Sequence, residues 1–302
     1  MLTGTKGGGA MAYRRLLLPL TGTAAGEAAL ATAMMVARIW ASHLHCMHVR
    51  VDARDVAPLA GEGLSGAMIE EMMAATERES GERALRVRGL FDRFAAVHGD
   101  VTLVANAEAA QKAAGVTLSF DSTPGREEDV VAQQSRLFDM AVVPHPEADE
   151  DVSSSDALHA VLFDSGRPVL VAPRAIPTTI GRRVAVAWNG SAESAAAVAA
   201  ALPWLHRADA VRVLHSTDYQ RRGPGAEGVL NYLAWHGIKA EAVAFKPVTK
   251  EVGAGLLGAA RDFGADLMCQ GAYSHSRLRQ LILGGVTRHV LENAEIPVLM
   301  CR

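Results

Sequence analysis

The chain has 302 residues, 49% of them hydrophobic and 21% charged, with a net charge of −3. That length fits two ordinary domains with core enough to fold without disulfides or metals. The balance excludes a disordered chain and leaves no basic footprint for nucleic acid. Three cysteines, Cys46, Cys269 and Cys301, are too few and too scattered for a disulfide framework or a zinc ribbon, so a reducing, cytoplasmic setting is expected.

Residues 1–12, MLTGTKGGGAMA, hold no apolar core of a secretory signal. Gly7–Gly9 read as a flexible leader and Met11 as an alternative start. No apolar stretch reaches the roughly 20 residues of a membrane span. The run Ala195–Leu205 is short and reads as a helix buried on a sheet.

The first strand is expected over Arg14–Leu20. It ends in the turn Thr21-Gly22-Thr23, and an Ala-rich helix follows. A second strand, Leu44–Val51, overlaps the segment HLHCMH at His43–His48. On a strand His43 and His45 face one way while Cys46 and His48 face the other, so four ligands cannot converge from this segment. The middle of this half is enlarged over about residues 52–113. A long helix is expected at Ala67–His98, with Val87, Phe91 and Phe94 on one face for packing on a sheet. Met68, Met72 and Met73 recur at helical spacing and read as core or interface packing. Further strands are expected at Val116–Phe120, Met140–Val143 and Pro168–Val171, with Arg126–Asp129 opening a helix whose acids suit its dipole. The prolines of Ala172–Gly181 favour an extended linker.

Beyond it, strands are expected at Arg182–Trp188, Ala210–His215, Ala240–Phe245, Asp266–Gln270 and Pro297–Cys301. They alternate with helices at Ala192–His206, Glu227–His236, Glu251–Phe263 and Gly285–Asn293. Continuous apolar runs such as VAVAW suit parallel strands covered on both faces. Three segments recur in order between the halves: Arg14–Thr23 with Arg182–Ser191, Phe138–Pro146 with Ala265–Tyr273, and Ala160–Val171 with His289–Met300. The expectation is therefore α/β, two tandem doubly wound five-stranded parallel-sheet domains at residues 13–174 and 181–302. The two would pair as an intramolecular pseudo-dimer through their last strands, near Pro168 and Pro297.

Ligands bind such sheets at the carboxyl ends of the strands, near a switch in strand order. The loop Gly271–Thr287, GAYSHSRLRQLILGGVT, begins with a glycine just past a strand and ends with Gly284 and Gly285 opening a helix. Glycines admit close approach of a phosphate, and a helix N-terminus offers free N–H groups. Ser274, His275 and Ser276 add side-chain donors, and Arg277 and Arg279 add positive charge. No nucleophile elbow, HExxH or paired catalytic carboxylate is present, so nothing in the sequence points to catalysis.

That loop resembles the universal stress protein signature G-x2-G-x9-G-[ST]. Gly271 matches its first glycine and Gly284 its third, while Ser274 replaces the second glycine and Gly285 the final Ser/Thr. Asn189-Gly190-Ser191 resembles the family's Asp-Gly-Ser turn with the charge removed, and PVLM near the end resembles its last strand. The resemblance, from about Arg14 to the end, implies a Rossmann-like fold of the adenine nucleotide alpha hydrolase-like type. It also implies a stress-response protein binding ATP or a related adenine nucleotide through Asn189, Gly271 and Ser274 with Gly284. His275, Ser276 and Gly285 belong by position, and magnesium would bridge the phosphates. The first half departs further: Thr21-Gly22-Thr23 has no acid, and Glu147, Asp149, Glu150 and Asp151 put negative charge where phosphates would sit. That half is expected to lack a site. Two other functions stay open, a ligand-free dimerisation scaffold and a slow ATPase, as does a homodimer of chains.

Overall fold

A computed structural model describes residues 13–52, 65–146, 156–273 and 285–302. It is α/β, with strands and helices alternating and one mostly parallel sheet. The first half contributes β1 (Arg15–Pro19), α1 (Ala24–Trp40), β2 (His43–Arg50), α2 (Gly66–Val97) and β3 (Thr102–Leu103). It continues with α3 (Ala107–Lys112), β4 (Thr117–Pro124), α4 (Glu127–Ser135), β5 (Met140–Val143), α5 (Asp156–Ala160) and β6 (Val169–Val171). The second half contributes β7 (Arg183–Ala187), α6 (Ala192–Arg207), β8 (Ala210–His215), α7 (Ala226–Trp235) and β9 (Glu241–Ala244). It ends with α8 (Val252–Phe263), β10 (Leu267–Gly271), α9 (Gly285–Asn293) and β11 (Val298–Cys301). The exposed pair Thr102–Leu103 adds a strand to the five expected before the linker; two residues give too little pattern to read.

The eleven strands lie in the order β3-β4-β2-β1-β5-β6-β11-β10-β7-β8-β9. Neighbours run parallel except at one place, where β6 meets β11 antiparallel with Val298 opposite Val171 and Met300 opposite Val169. The sheet is thus continuous across the chain, and the last strands of the two halves make the join, as the sequence suggested. Alternate side chains feed two apolar layers. One holds Leu16, Val142, Leu170, Val186 and Leu299; the other holds Leu17, Ala141, Val171, Ala185 and Met300. Continuous apolar strands are what burial on both faces requires.

Across the join, α1 and α6 meet through aromatic rings. Trp40 and Trp204 lie edge to face at 4.4 Å, and Tyr13 stands edge to face on Trp40 at 4.9 Å. The Tyr13 hydroxyl donates to the Ala200 carbonyl. Gly181 (φ +76°) is required here twice over, since a Cβ would lie 2.2 Å from the Trp204 ring. On the other layer Phe163 and Tyr273 pack at 5.4 Å, and Arg174 donates to the Glu292 carbonyl at 3.1 Å.

Matching devices tie the start of each half to its fourth main strand. The Asp139 carboxylate accepts from the backbone N–H groups of Arg14 and Arg15 at 2.6 and 2.9 Å. Asp266 does the same for Arg182 and Arg183 at 3.2 and 2.8 Å. Arg15 lies over the Phe138 ring at 4.2 Å, and Arg183 over Phe263 at 4.5 Å. Thr23 and Ser191 cap α1 and α6 through their hydroxyls.

Replacing Asp266 by Ala removes both acceptors while leaving the two N–H groups in place. Hydrogen bonds to a charged group contribute about 1.5–3 kcal/mol each at most, and partial exposure here lets water replace part of that. Urea unfolding of Asp266→Ala should show a loss of about 1–2 kcal/mol, with Asp139→Ala similar.

Candidate functional site

In the second half the order in which strands are added reverses at β7: β8 and β9 lie to one side of it, and β10 and β11 to the other. Asn189, just past β7, and Gly271, at the end of β10, flank that crevice, because Gln270 pairs with Ala187 across it. The structure therefore brings two of the expected site residues together. Gly285 opens α9, and no described residue lies within 4 Å of a Cβ placed on it. Ser274, His275, Ser276 and Gly284 lie outside the described residues, as do Arg277, Arg279 and the acids Glu147, Asp149, Glu150 and Asp151.

Each described residue has a job in the fold as well. A Cβ on Gly271 would sit 2.5 Å from the Ser194 backbone nitrogen and 2.9 Å from the Glu193 Cβ, so this glycine lets α6 start directly on the strand end. The Asn189 carbonyl oxygen of the side chain accepts from the Ser191 N–H at 3.1 Å, closing a turn that feeds the α6 cap. Its backbone carbonyl accepts from the Arg221 N–H at 2.7 Å. The loop after β8 packs over this turn: Trp188 Nε1 donates to the Pro224 carbonyl at 2.9 Å, and Gly190 (φ +79°) fits against Gly223 with no room for a Cβ on either. Asn189 is consequently buried.

Sequence reasoning missed Gln270. Its side chain is 1% exposed, and neither Nε2 nor Oε1 has a hydrogen-bond partner among the described residues. Period-two alternation puts it on the layer with Met268, Ala187 and Met300, the face covered by α8 and α9. An amide in that setting has a cost of about 1–3 kcal/mol per unmatched polar atom. The signal was a polar residue closing the apolar run Leu267–Cys269. Also missed were Glu193, the carboxylate beside Gly271, and Arg221 and Arg222, which place two exposed cations on the loop over Asn189.

In the first half the equivalent crevice lies between β1 and β5. Thr21 and Thr23 hydroxyls bond each other at 3.0 Å, and Gly22 lies against Val87 of α2, whose Cγ2 would be 3.3 Å from an added Cβ. His145, after β5, is buried with Nδ1 on the Pro146 carbonyl and Nε2 unpartnered; burial lowers its pKa.

The HLHCMH segment divides as its alternation predicts. His43 and His45 are half-buried on one face and stack at 6.3 Å; Cys46 and His48 are buried. His43 bonds Thr117 and Ser119 at 2.9 and 3.1 Å, and His45 bonds Ser119 at 2.8 Å. Burial first, then the neighbouring His45 and Arg15, push His43 down to about 4. Burial also lowers His45, against the pull of Asp121. Among the described residues no group of three or more His, Cys, Asp or Glu is placed to hold a metal ion.

Residues 181–302 match the model of the Universal stress protein family. A universal stress protein from Archaeoglobus fulgidus is similar in structure over 95% of this chain and 98% of its own, with a TM-score of 0.64 at 14% identity. A functionally unknown protein from Pseudomonas aeruginosa PAO1 is similar over 96% of this chain and 92% of its own, with a TM-score of 0.51 at 16% identity. At these identities the likeness is one of fold. No curated protein matches the chain in sequence. No described helix is long and apolar enough to cross a membrane.

Two outcomes follow from this geometry. Gly271→Val should lower the melting temperature with or without ligand, because it strikes the α6 backbone. Gly285→Val should leave the melting temperature close to that of the parent, and calorimetric titration then reads any loss of nucleotide affinity free of a folding defect. For the histidines, the folded chain keeps His43 and His45 neutral while the unfolded chain takes up protons near the ordinary value of about 6.5. Their contribution is whole above that pH and is lost as pH falls from there toward 4. His43→Gln should flatten this limb of the stability profile in chemical denaturation from pH 7 to 4.

Proposed function

We propose that this chain, whose residues 181–302 form a universal stress protein domain, is a stress-response protein of the cytoplasm. In this reading it binds ATP or a related adenine nucleotide at the β7–β10 crevice, and the first half is a diverged copy without a nucleotide site. The observation that carries the reading is Gln270. A side chain whose two polar atoms have no partner among the described residues sits at the end of a central strand, on the layer that α8 and α9 cover. Such a group is supported by a ligand that completes it. Gly285 leaves space at the α9 N-terminus, and Arg221 and Arg222 add attraction for an anion. Magnesium, where it accompanies the phosphates, would take Glu193 as its carboxylate, since Asn189 has no charge to offer.

In this reading the chain acts as a binding protein, with Glu193 in the first turn of α6 and Asn189 committed to its turn. A second reading, a ligand-free scaffold, is favoured by one observation. The loop after β8 already fills the space over Asn189, with Gly223 against Gly190.

Gln270→Met separates the two. In the nucleotide reading the variant gains stability without ligand, by about 1–3 kcal/mol, because both orphaned atoms are removed. It also loses adenine-nucleotide affinity by about tenfold, equal to about 1.4 kcal/mol. Denaturing fresh native protein should release close to one adenine nucleotide per chain, read by anion exchange and absorbance. A native chain that releases none, and whose melting temperature no added nucleotide moves, leaves the scaffold.

A further inference from the structure

The helix α2 is longer than the sheet it packs on. At about 1.5 Å per residue its 32 residues span about 48 Å. Val87, Leu90 and Phe91 are its only described buried side chains, with Phe91 against Phe120 at 5.0 Å. Val87 already touches Gly22, which lies at the carboxyl end of β1. The turns before it therefore run beyond the sheet edge, and from Gly66 to Arg86 no residue is buried. The methionines expected in core or interface packing are on this arm: Met68 is 50% exposed and Met72 38%. Val97, at the other end of the helix, is 79% exposed.

Charge along α2 is segregated. Glu70, Glu71, Glu77, Glu79 and Glu82 outnumber Arg78 in the first part, while Arg83, Arg86, Arg88 and Arg93 outnumber Asp92 in the second. Helical spacing of three and four residues puts Met68, Glu79, Glu82, Arg86 and Val97 along one lateral stripe, with Arg83 at its margin. That stripe is self-complementary when read backwards. About a two-fold axis between residues 82 and 83, Met68 falls opposite Val97, Glu79 opposite Arg86, and Glu82 opposite Arg83. Among the described residues of one chain these charges make exposed pairs, Glu79 with Arg83 at 2.9 Å and Glu82 with Arg86 at 4.0 Å. Exposed pairs of that kind contribute little.

We propose that α2 is the interface for a second copy of this chain, the two helices lying side by side and antiparallel. A two-fold interface must be self-complementary, and an antiparallel pair sets the acidic part of each helix on the basic part of the other. The isolated pairs become a four-residue network per half interface, with an apolar contact at each end that keeps water from the helix termini.

The test is a disulfide that one chain cannot make. Positions 68 and 97 are about 43 Å apart along the helix, and position 68 is as far from its own copy across the axis. Only an antiparallel pair brings Met68→Cys of one chain to Val97→Cys of the other. The native cysteines are all buried and do not compete. Mild oxidation of the double variant should give a dimer on a non-reducing gel, while each single variant stays at the mass of one chain. A charge swap gives a second readout. Glu79→Arg/Glu82→Arg and Arg83→Glu/Arg86→Glu chains should each lose self-association by about tenfold or more at low salt. Equimolar mixing of the two should restore it, read by sedimentation. A native chain that stays monomeric at concentrations on the order of 0.1 mM overturns the proposal. So does a dimer that ignores these four substitutions, or a double cysteine variant that does not cross-link.

Discussion

The rest of the architecture depends on three residue pairs, Val169–Val171 against Val298–Met300. A parallel sheet that ends in a short apolar strand leaves an edge ready to pair with any other strand. Here each half covers the edge of the other. The pairing is antiparallel, so the halves are related by a local two-fold rotation and not by a translation. That places α1 beside α6 on one layer, where Trp40 and Trp204 meet, and α5 near the end of the chain on the other, where Phe163 and Tyr273 meet. It also points the carboxyl ends of β1–β5 and of β7–β10 in opposite directions. A ligand crevice in either half is thus built from that half alone, and one can decay while the other keeps its chemistry.

The halves differ at the corresponding crevice. Gly22 lies against Val87 where its counterpart Gly190 lies against Gly223, and Pro144 occupies the place that Gly271 holds in the other half. A proline there removes a backbone donor and a glycine's freedom at once. The long helix that covers this end is the large difference between the halves, and it brings the exposed methionines with it.

Much of this was legible in the residues. Apolar runs bounded by turns located the main strands, and the repeated Pro-Val-Leu segments pointed to the join. Other features were not, for physical reasons. The stripe Ile69, Met73, Thr76 and Ser80 continues in phase with Val87 and Phe91, so periodicity cannot say where the sheet under a helix stops. Met68 and Met72, read from their helical spacing as core or interface packing, are exposed and so are not in the core of this chain. Gln270 looked like the end of a strand, because its burial is set by α8 and α9, which are distant in sequence. Ser274–Ser276 and Gly284 make up the body of the motif and lie outside the described residues, so the structure describes only the two ends of the loop.

The two ends also differ in what they say. Gly271 has a complete explanation in packing: α6 begins 2.5 Å from where its Cβ would be. Its presence would follow from the fold with or without a ligand, so it discriminates poorly between functions. The same holds for Asn189, whose side chain closes a turn that a scaffold needs as much as a binding protein does. Gln270 is different, because packing explains its burial and leaves its chemistry unexplained. A leucine or methionine of similar volume would fill the same space between Ala187 and Met300 without orphaned atoms. On a layer that around this strand is lined by Ala185, Ala187, Met268, Val298 and Met300, the residue that the fold would be more stable without is the one whose retention most favours a bound partner.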